Sequence, residues 1–402
     1  MHVFGNQKGA NSLDYIACWF KKSTDFIENS NSKYAFVSTN SICQGEQVAL
    51  LWKEIFDKKQ EIAFAYQPFK WQNSAKNNAA VIVVIVGVRN NCKENKYLFF
   101  DGFKNSVDNI NPYLSTGDTS FIYRQTKSLA NLPMMSVGNM PLDGGHFIFD
   151  EADYSKLSEY EKNSKYLFKF VGAQEFLQGK KRWTLWIEDE NLNDALSFEF
   201  VRERVEKVKQ FRLSSSREAT SDLAQAPHKY GFISRKRGHM VIIPKVSSER
   251  REYIPISYLD ESHVVSDLVF CIYDAPAWLI SLLSSSMHMA WVRAVAGRLK
   301  SDYRYSSAIC YNTFPVPPLS EADKNILSEM AIALLSEREY YSEKTLAQLY
   351  DPTKMPESLK AIHLKINKIV DSIYSNTPLD SEEKRLNYLF QMYPLMTGGQ
   401  DA

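Results

Sequence analysis

The feature that most constrains the fold of this chain is a run of ten apolar residues, Ala79–Val88, with the sequence AAVIVVIVGV. A run this short and this rich in β-branched side chains is typical of a strand that is buried on both faces. Strands of that kind occur in α/β sheets, because helices then cover the two faces. The run therefore predicts an α/β domain with Ala79–Val88 as one of its inner strands.

The segment before this strand is polar, yet it carries two large aromatic side chains, Phe69 and Trp71. One interpretation is that both pack back onto the domain as a lid. The other is that they form a platform on which a flat ring stacks, such as a nucleobase that has left its duplex. The residues alone leave both interpretations open.

The flanking pattern predicts how the strand is paired. Apolar spacing indicates helices near Leu13–Ile27 and Val48–Phe56 and strands at Tyr34–Ser38 and Ile62–Tyr66. Strand, helix and strand form a parallel crossover, whereas the link from Tyr66 to Ala79 is too short for another one. We therefore expect Ala79–Val88 to pair antiparallel with its neighbour and an exposed apolar sheet edge to lie near Leu13–Val37.

The remaining chain divides at a proline-rich break, Pro315–Pro318. Before it, short strand patterns lie among long loops, and Ala277–Arg298 has the pattern of one helix. After it, Leu327–Leu349 and Pro356–Tyr374 have the pattern of amphipathic helices. We predict three domains over residues 1–125, 126–318 and 319–402.

Composition excludes several protein classes. The five cysteines contain no CxxC pair, so neither a disulfide framework nor a zinc site is indicated. No apolar run is long enough for a membrane span, so we expect a cytoplasmic protein.

The net charge of +1 conceals a basic middle of the chain. Between Arg202 and Arg251 there are thirteen Lys or Arg residues against five Asp or Glu residues. The basic clusters are interleaved with aromatic residues, a combination that favours contacts with nucleic acid. The predicted DNA-binding residues are Lys180, Lys181, Arg182, Arg235, Lys236, Arg237, Lys245, Glu249, Arg250, Arg251, Arg298, Lys300 and Arg304. Within this set Glu249, Arg250 and Arg251 are candidate base readers, because Arg suits guanine and Glu suits the cytosine amine; the same three residues could equally form an ion pair.

Several stretches carry a family resemblance. They are FGNQKGANSLDYIACWF, AFVSTNSICQGEQV, FKWQNSAKNNAAVIVVIVG, FVGAQEFLQGKKRWTLWI, IPKVSSERREYIPI and SSMHMAWVRAVAGRLKSDYRYSSAICYNTFPVP. In this order they resemble the MmeI-like (type IIL restriction–modification) adenine-specific DNA methyltransferases over nearly the whole chain. The segment Gly297–Pro315 is the most specific of them.

The resemblance implies an α/β fold, the partial Rossmann-like methyltransferase sheet, followed by an α+β target recognition domain and an α-helical C-terminal domain. It also implies methyl transfer from S-adenosylmethionine to adenine N6 in site-specific DNA. In the family the segment around Phe69 lies in the target-base pocket, so the resemblance favours Phe69 over Trp71 as the stacking residue.

The departures from the family are equally informative. The glycine-rich S-adenosylmethionine loop and the catalytic Asn-Pro-Pro-aromatic tetrapeptide are not in this sequence; Asn111-Pro112-Tyr113 lacks the second proline. We therefore expect no complete catalytic site, no metal site and no cofactor binding by this chain alone. The expected partners are double-stranded DNA and an N-terminal methyltransferase half. The alternative is a stand-alone specificity subunit that binds DNA and docks a separate catalytic chain.

Overall fold

The structure is a computed structural model that describes residues 3–71 and 81–398. Its first part is a five-stranded sheet with the strand order β1-β3-β2-β4-β5 and two helices. The elements are α1 (Ile16–Ile27), β1 (Lys33–Thr39), α2 (Gln47–Asp57), β2 (Gln60–Lys70), β3 (Ile82–Asn90), β4 (Lys96–Phe100) and β5 (Phe103–Val107).

The apolar run forms the strand β3, which pairs antiparallel with both β1 and β2. The predicted antiparallel pairing is thus confirmed, and β1 and β2 run parallel with β3 between them. Val84, Val86 and Val88 are buried in one core with residues of α1 and α2. At Gly87 an added Cβ would lie 2.2 Å from the ring of Phe64, so this position accepts only glycine without a rearrangement. Residues 72–80 of the predicted loop lie outside the described part of the chain.

The second part contains three small sheets. Their strand orders are β12-β10-β14-β6, β13-β8-β9-β7 and β11-β16-β15. The strands are β6 (Ser136–Val137), β7 (Ile148–Phe149), β8 (Leu167–Val171), β9 (Trp183–Leu185), β10 (Met240–Pro244), β11 (Val246–Ser247), β12 (Ser257–Leu259), β13 (His263–Val265), β14 (Val269–Tyr273), β15 (Gly297–Leu299) and β16 (Asp302–Arg304). The helices are α3 (Glu151–Ser155), α4 (Glu159–Lys162), α5 (Ala173–Gln178), α6 (Leu192–Ala195), α7 (Glu199–Leu213), α8 (Glu218–Ser221), α9 (Trp278–Leu283) and α10 (Ser286–Val295).

The third part is helical and packs closely against the second. Its helices are α11 (Glu321–Tyr340), α12 (Leu346–Leu349), α13 (Glu357–Tyr374) and α14 (Glu382–Met396). One continuous core joins them to β10, β14, α9 and α10. Helix α14 also contacts the first part, because the rings of Phe390 and Tyr113 stack with centroids 5.2 Å apart.

Two predicted helices are wrong in their extent. The pattern over Ala277–Arg298 is two helices, since Ser285 caps a new helix by accepting a hydrogen bond from the backbone of His288 at 3.2 Å. Arg298 lies beyond the second helix, in strand β15. The pattern over Leu327–Leu349 is likewise interrupted, because α11 ends at Tyr340. None of the described helices is long and apolar enough to cross a membrane.

Candidate nucleic-acid interface

A polar cleft of about 820 Å³ lies between the five-stranded sheet and the second part of the chain. One side is formed by the end of β1, the turn before α2 and the start of β3. The other side is formed by the hairpin β15–β16 and the residues around it. The lining residues that carry charge are Asp14, Glu46, Arg124, Lys245, Arg298, Lys300 and Arg304. Cations therefore outnumber anions here, which suits a polyanionic ligand.

The two sides of the cleft meet at a close backbone contact. The amide of Gly45 donates a hydrogen bond of 3.1 Å to the carbonyl of Val295. A Cβ on Gly45 would lie 3.5 Å from the backbone of Gly297, so little space remains between the two segments. Arg124 and Glu46 add a salt bridge of 3.2 Å. The backbone contact holds the segment that leads into the hairpin against the turn that follows β1.

Four of the sequence-predicted DNA-binding residues line this cleft, namely Lys245, Arg298, Lys300 and Arg304. Lys300 and Arg304 are exposed, whereas Lys245 is half-buried with its Nζ 5.2 Å from the centroid of Phe270. Burial lowers the pKa of Lys245, and the nearby positive charge of Arg304 lowers it further. The negative charge of Asp267 opposes this shift. In the described residues none of Lys245, Lys300 and Arg304 forms a salt bridge, so their charges are available to a ligand.

Arg298 has a different role, since its guanidinium is bound by the protein itself. It donates to the carbonyls of Arg293 at 2.9 Å and Ala296 at 2.7 Å, at the end of α10. It also lies over the ring of Tyr303, 4.3 Å from the centroid. Burial lowers its pKa. Arg298 therefore holds the hairpin to α10 and has few donors left for DNA.

The opposite side of the cleft contributes residues that the sequence-based selection missed. Asn40 and Gln44 follow β1, are more than nine-tenths buried and line the cleft. Gln44 Oε1 has no hydrogen-bond partner within the described structure. In α/β sheets ligands bind beyond the carboxyl ends of the strands. The polar residues of AFVSTNSICQGEQV that follow the predicted strand Tyr34–Ser38 were the signal that could have identified these residues.

The candidate base readers lie on the turn after β11, next to the hairpin. The pairing of β11 with β16 places Glu249 beside Tyr303, whose hydroxyl donates to the carbonyl of Glu249 at 3.4 Å. The side chains of Glu249 and Arg250 are exposed. Arg251 is less free, because its Nη1 donates to the hydroxyl of Ser247 at 3.2 Å. The predicted alternative of an ion pair among these residues does not occur; the partner of Arg250 is Asp351 at 3.8 Å.

The two other basic clusters lie outside the cleft. Each contains one arginine whose guanidinium is already bound by other residues of the protein. Arg182 pairs with the buried carboxylate of Glu175 at 2.8 Å, while Lys180 and Lys181 are exposed. Arg235 packs over Phe168 and Trp186, with its guanidinium carbon 4.6 and 5.3 Å from their centroids. Its Nη2 donates to the carbonyl of Glu261 at 2.7 Å. Lys236 and Arg237 are exposed.

The aromatic pair lies at the end of β2. Phe69 belongs to the strand and pairs with Val83, and the amide of Trp71 donates to Val81 at 2.9 Å. Val81 itself lines the cleft. The two rings do not turn to opposite sides of the chain: their centroids are 6.4 Å apart, since side chains two residues apart in an extended chain share a side. Trp71 is 40% exposed and Phe69 is half-buried, so neither ring belongs to the core.

Comparison with known proteins identifies the family that has this architecture. Family models match three consecutive segments: "MmeI, DNA-methyltransferase domain" over residues 1–100, "MmeI, target recognition domain" over 116–318 and "MmeI, C-terminal domain" over 319–399. The chain belongs to the MmeI family. The resemblance inferred from the sequence motifs and the α/β, α+β and helical fold classes are thereby confirmed.

Two relatives show how much of an MmeI-family protein is present. DNA methyltransferase A of Bacillus subtilis (strain 168) is 43% identical over 399 residues, which are 99% of this chain and 45% of that protein. The solved structure of the type IIL restriction–modification enzyme MmeI in complex with DNA superposes with a TM-score of 0.90 at 38% identity. It covers 99% of this chain and 54% of the MmeI chain. The chain thus spans about half the length of these relatives.

Proposed function

We propose that this chain is the DNA-recognition part of a site-specific, adenine-N6 DNA methyltransferase of a restriction–modification system. Duplex DNA lies in the central cleft, against Lys245, Lys300 and Arg304. The observation that carries the proposal is the cleft itself, where three cations that form no salt bridge within the described residues face the polar end of a methyltransferase-like sheet. The similarity to an MmeI structure that was solved with DNA supports this assignment.

Two groups of residues on the recognition side have separate roles in this proposal. Phosphate contacts position a protein on DNA and base contacts give specificity. The cations therefore hold the backbone, and the exposed Glu249 and Arg250 reach base edges beside it. Arg251 supports the turn through Ser247 and serves as a third candidate reader.

The target adenine leaves the duplex toward the sheet. Its exocyclic amine is unreachable inside a stacked duplex, so the base must be extruded. Phe69 at the end of β2 offers an aromatic face, and stacking on it is worth about 1–3 kcal/mol. Trp71, on the same side and more exposed, covers the rim of that platform. The unpaired Oε1 of Gln44 supplies a hydrogen-bond acceptor on this side of the cleft.

The described residues do not fit a complete S-adenosylmethionine site. Such cofactors bind at a glycine-rich turn between a strand and a helix. The turn between β1 and α2 has a single glycine, Gly45, and the space next to it is occupied by the backbone of Gly297. The family uses S-adenosylmethionine, and we propose that the cofactor is held by residues beyond those in this sequence.

The sheet offers a surface to which a catalytic half would dock. Strand β1 is an edge strand, with Val37 49% exposed. Tyr15, which caps α1, and Trp19 and Phe26 on the helix are 79%, 51% and 80% exposed. At about 100° per residue these three positions fall within about 40° of one another on the helix. An edge strand beside an exposed apolar stripe suits an N-terminal methyltransferase half that extends the sheet in the bacterial cytoplasm.

The test is reconstitution. Co-expression of this chain with the portion of a relative that it does not match should methylate adenines of the host DNA at one sequence. This chain alone should bind duplex DNA without methylating it. Trp19→Glu should abolish methylation and leave DNA binding intact, whereas Ile332→Glu, on the exposed face of α11, should change neither. Methylation that is insensitive to Trp19→Glu would refute the docking surface.

A stand-alone specificity subunit would use the same surfaces, so the edge at β1 supports it equally. A single continuous enzyme and a separate specificity subunit would be encoded differently. An Asn-Pro-Pro-aromatic run in the reading frame directly upstream would establish a single continuous enzyme, and a separate catalytic chain that co-purifies with this one would establish a subunit.

A further inference from the structure

The hairpin β15–β16 ends in an exposed leucine at the edge of the cleft. Leu299 pairs with Asp302 across a two-residue turn, and its side chain is 53% exposed. Its neighbours Arg298 and Lys300 both line the cleft. Lys300 adopts a left-handed backbone with φ of 59°, which closes the turn tightly. A large apolar side chain is therefore held at the tip of a cationic hairpin.

The hairpin is rigidly supported from behind. Arg298 ties β15 to the last carbonyls of α10, and Tyr303 of β16 is only 6% exposed. Because neighbouring side chains of a strand point to opposite faces, the burial of Arg298 against Tyr303 directs Leu299 away from the core. Strand β16 is also held from its other side by β11.

The position of the tip relative to the sheet is fixed as well. Gly297 lies against Gly45 of the methyltransferase-like part, and Leu299 is two residues further along the strand. At about 3.3 Å per residue the tip lies roughly 7 Å beyond this contact. By strand alternation the side chain of Leu299 lies on the same face of the hairpin as that of Arg304, which lines the cleft.

We propose that Leu299 is a wedge that enters the base stack where the target adenine leaves it. The inference rests on the proposed function, since it needs duplex DNA in the cleft. Extrusion of a base leaves a gap, and proteins fill or open such gaps with apolar side chains such as leucine. Lys300 and Arg304 hold the backbone on either side of the inserted side chain. Leu299 thus positions the DNA and makes no contact with the reacting atoms.

The experiment compares two duplexes and requires no knowledge of the recognition sequence. The purified chain is titrated with a fluorescein-labelled 30-base-pair duplex and with the same duplex carrying one abasic site. Insertion into an intact stack costs unstacking energy, whereas an abasic gap is already open. We expect the wild-type chain to bind the abasic duplex about tenfold more tightly, a difference of about 1.4 kcal/mol.

Leu299→Ala should lose that preference and keep the affinity and salt dependence for the intact duplex. Leu299→Phe should restore it, because a larger apolar side chain still fills the gap. Leu364→Ala on α13 is the matched control, since Leu364 is also about half exposed at 49% and is remote from the cleft. It should behave as the wild type.

The outcomes separate the two proposals. A wild-type chain that binds intact duplex but shows no abasic preference overturns the wedge and leaves the proposed function in place. The same holds if Leu299→Ala retains the full preference. A chain that binds neither duplex overturns the proposed function and the wedge with it. Unchanged melting temperatures of all variants will exclude unfolding as the cause.

Discussion

The charge of the cleft gives a quantitative prediction for DNA binding. Each phosphate that a cation neutralises lowers log K by about 0.9 per tenfold increase in salt. Lys245, Lys300 and Arg304 have no salt bridge in the described residues, so the cleft alone should contribute a slope of about −2.7. The clusters predicted from the sequence give a total near −5 if half of them contact phosphate. The double variant Lys300→Gln/Arg304→Gln should therefore reduce the slope by about 1.8.

The assay is fluorescence anisotropy with a labelled duplex between 50 and 200 mM salt. Over this range the affinity of the double variant should fall about tenfold less than that of the wild type. Both side chains are exposed, so folding should be unaffected. The matched control is Lys365→Gln/Lys368→Gln, which removes the same charge from exposed positions of α13. Equal slopes for the two double variants would refute a specific role for the cleft, because net charge alone would then set the salt dependence.

Further predictions concern the base pocket, the readers, the cofactor and pH. In the reconstituted enzyme Phe69→Ala should lose about 1–3 kcal/mol of target-base stacking, detected as brighter 2-aminopurine at the target position, and unchanged fluorescence would favour a lid. Trp71→Ala should alter the melting temperature little, because Trp71 is 40% exposed. Glu249, Arg250 and Arg251 are each replaced by alanine, and each variant selects its preferred duplexes from a random pool. Loss of a base reader should relax the preference at one base pair and cost about 1–3 kcal/mol of binding free energy. An unchanged preference would remove that residue from the readers. Calorimetry should detect no binding of S-adenosylmethionine to this chain; a saturable heat would contradict the cofactor proposal. Burial lowers the pKa of His288 from 6.5 to about 4. The unfolded chain therefore binds the proton first, and His288 alone should lower the stability by about 2 kcal/mol between pH 7 and pH 5. His288→Gln should make the urea midpoint less dependent on pH over that interval, and an identical pH dependence would contradict this assignment.

The sequence predicted the sheet better than it predicted the site. The length and β-branched composition of the apolar run determine a buried strand, and the short link before it determines the antiparallel pairing. These are local constraints. The strand pattern predicted that β2 ends at Tyr66, because the polar residues near Phe69 gave no strand signal. In the structure Phe69 pairs with Val83, and the strand extends to Lys70.

The roles of the basic residues depend on distant partners that the pattern of charges does not contain. Arg182 and Lys181 are neighbours in one cluster, yet only Arg182 meets a buried carboxylate. Arg298 and Lys300 are two residues apart and both line the cleft, yet Arg298 lies in the strand and packs on Tyr303, whereas Lys300 lies in the turn and is exposed. Sequence composition could therefore locate the basic surface without distinguishing its structural arginines from cations available to DNA.

Helix α14 has a consequence for how the protein is made. Its Phe390 and Tyr393 pack on Trp291 of α10, and Phe390 stacks on Tyr113 before the recognition domain. Between the synthesis of Arg124 and that of Glu382 the ribosome adds about 260 residues, which takes roughly 13–50 s at about 5–20 residues per second. During that time the two sides of the cleft lack this clamp. A nascent chain can therefore fold its first sheet early, but the packing that joins Tyr113 to α10 through α14 forms only after α14 has emerged.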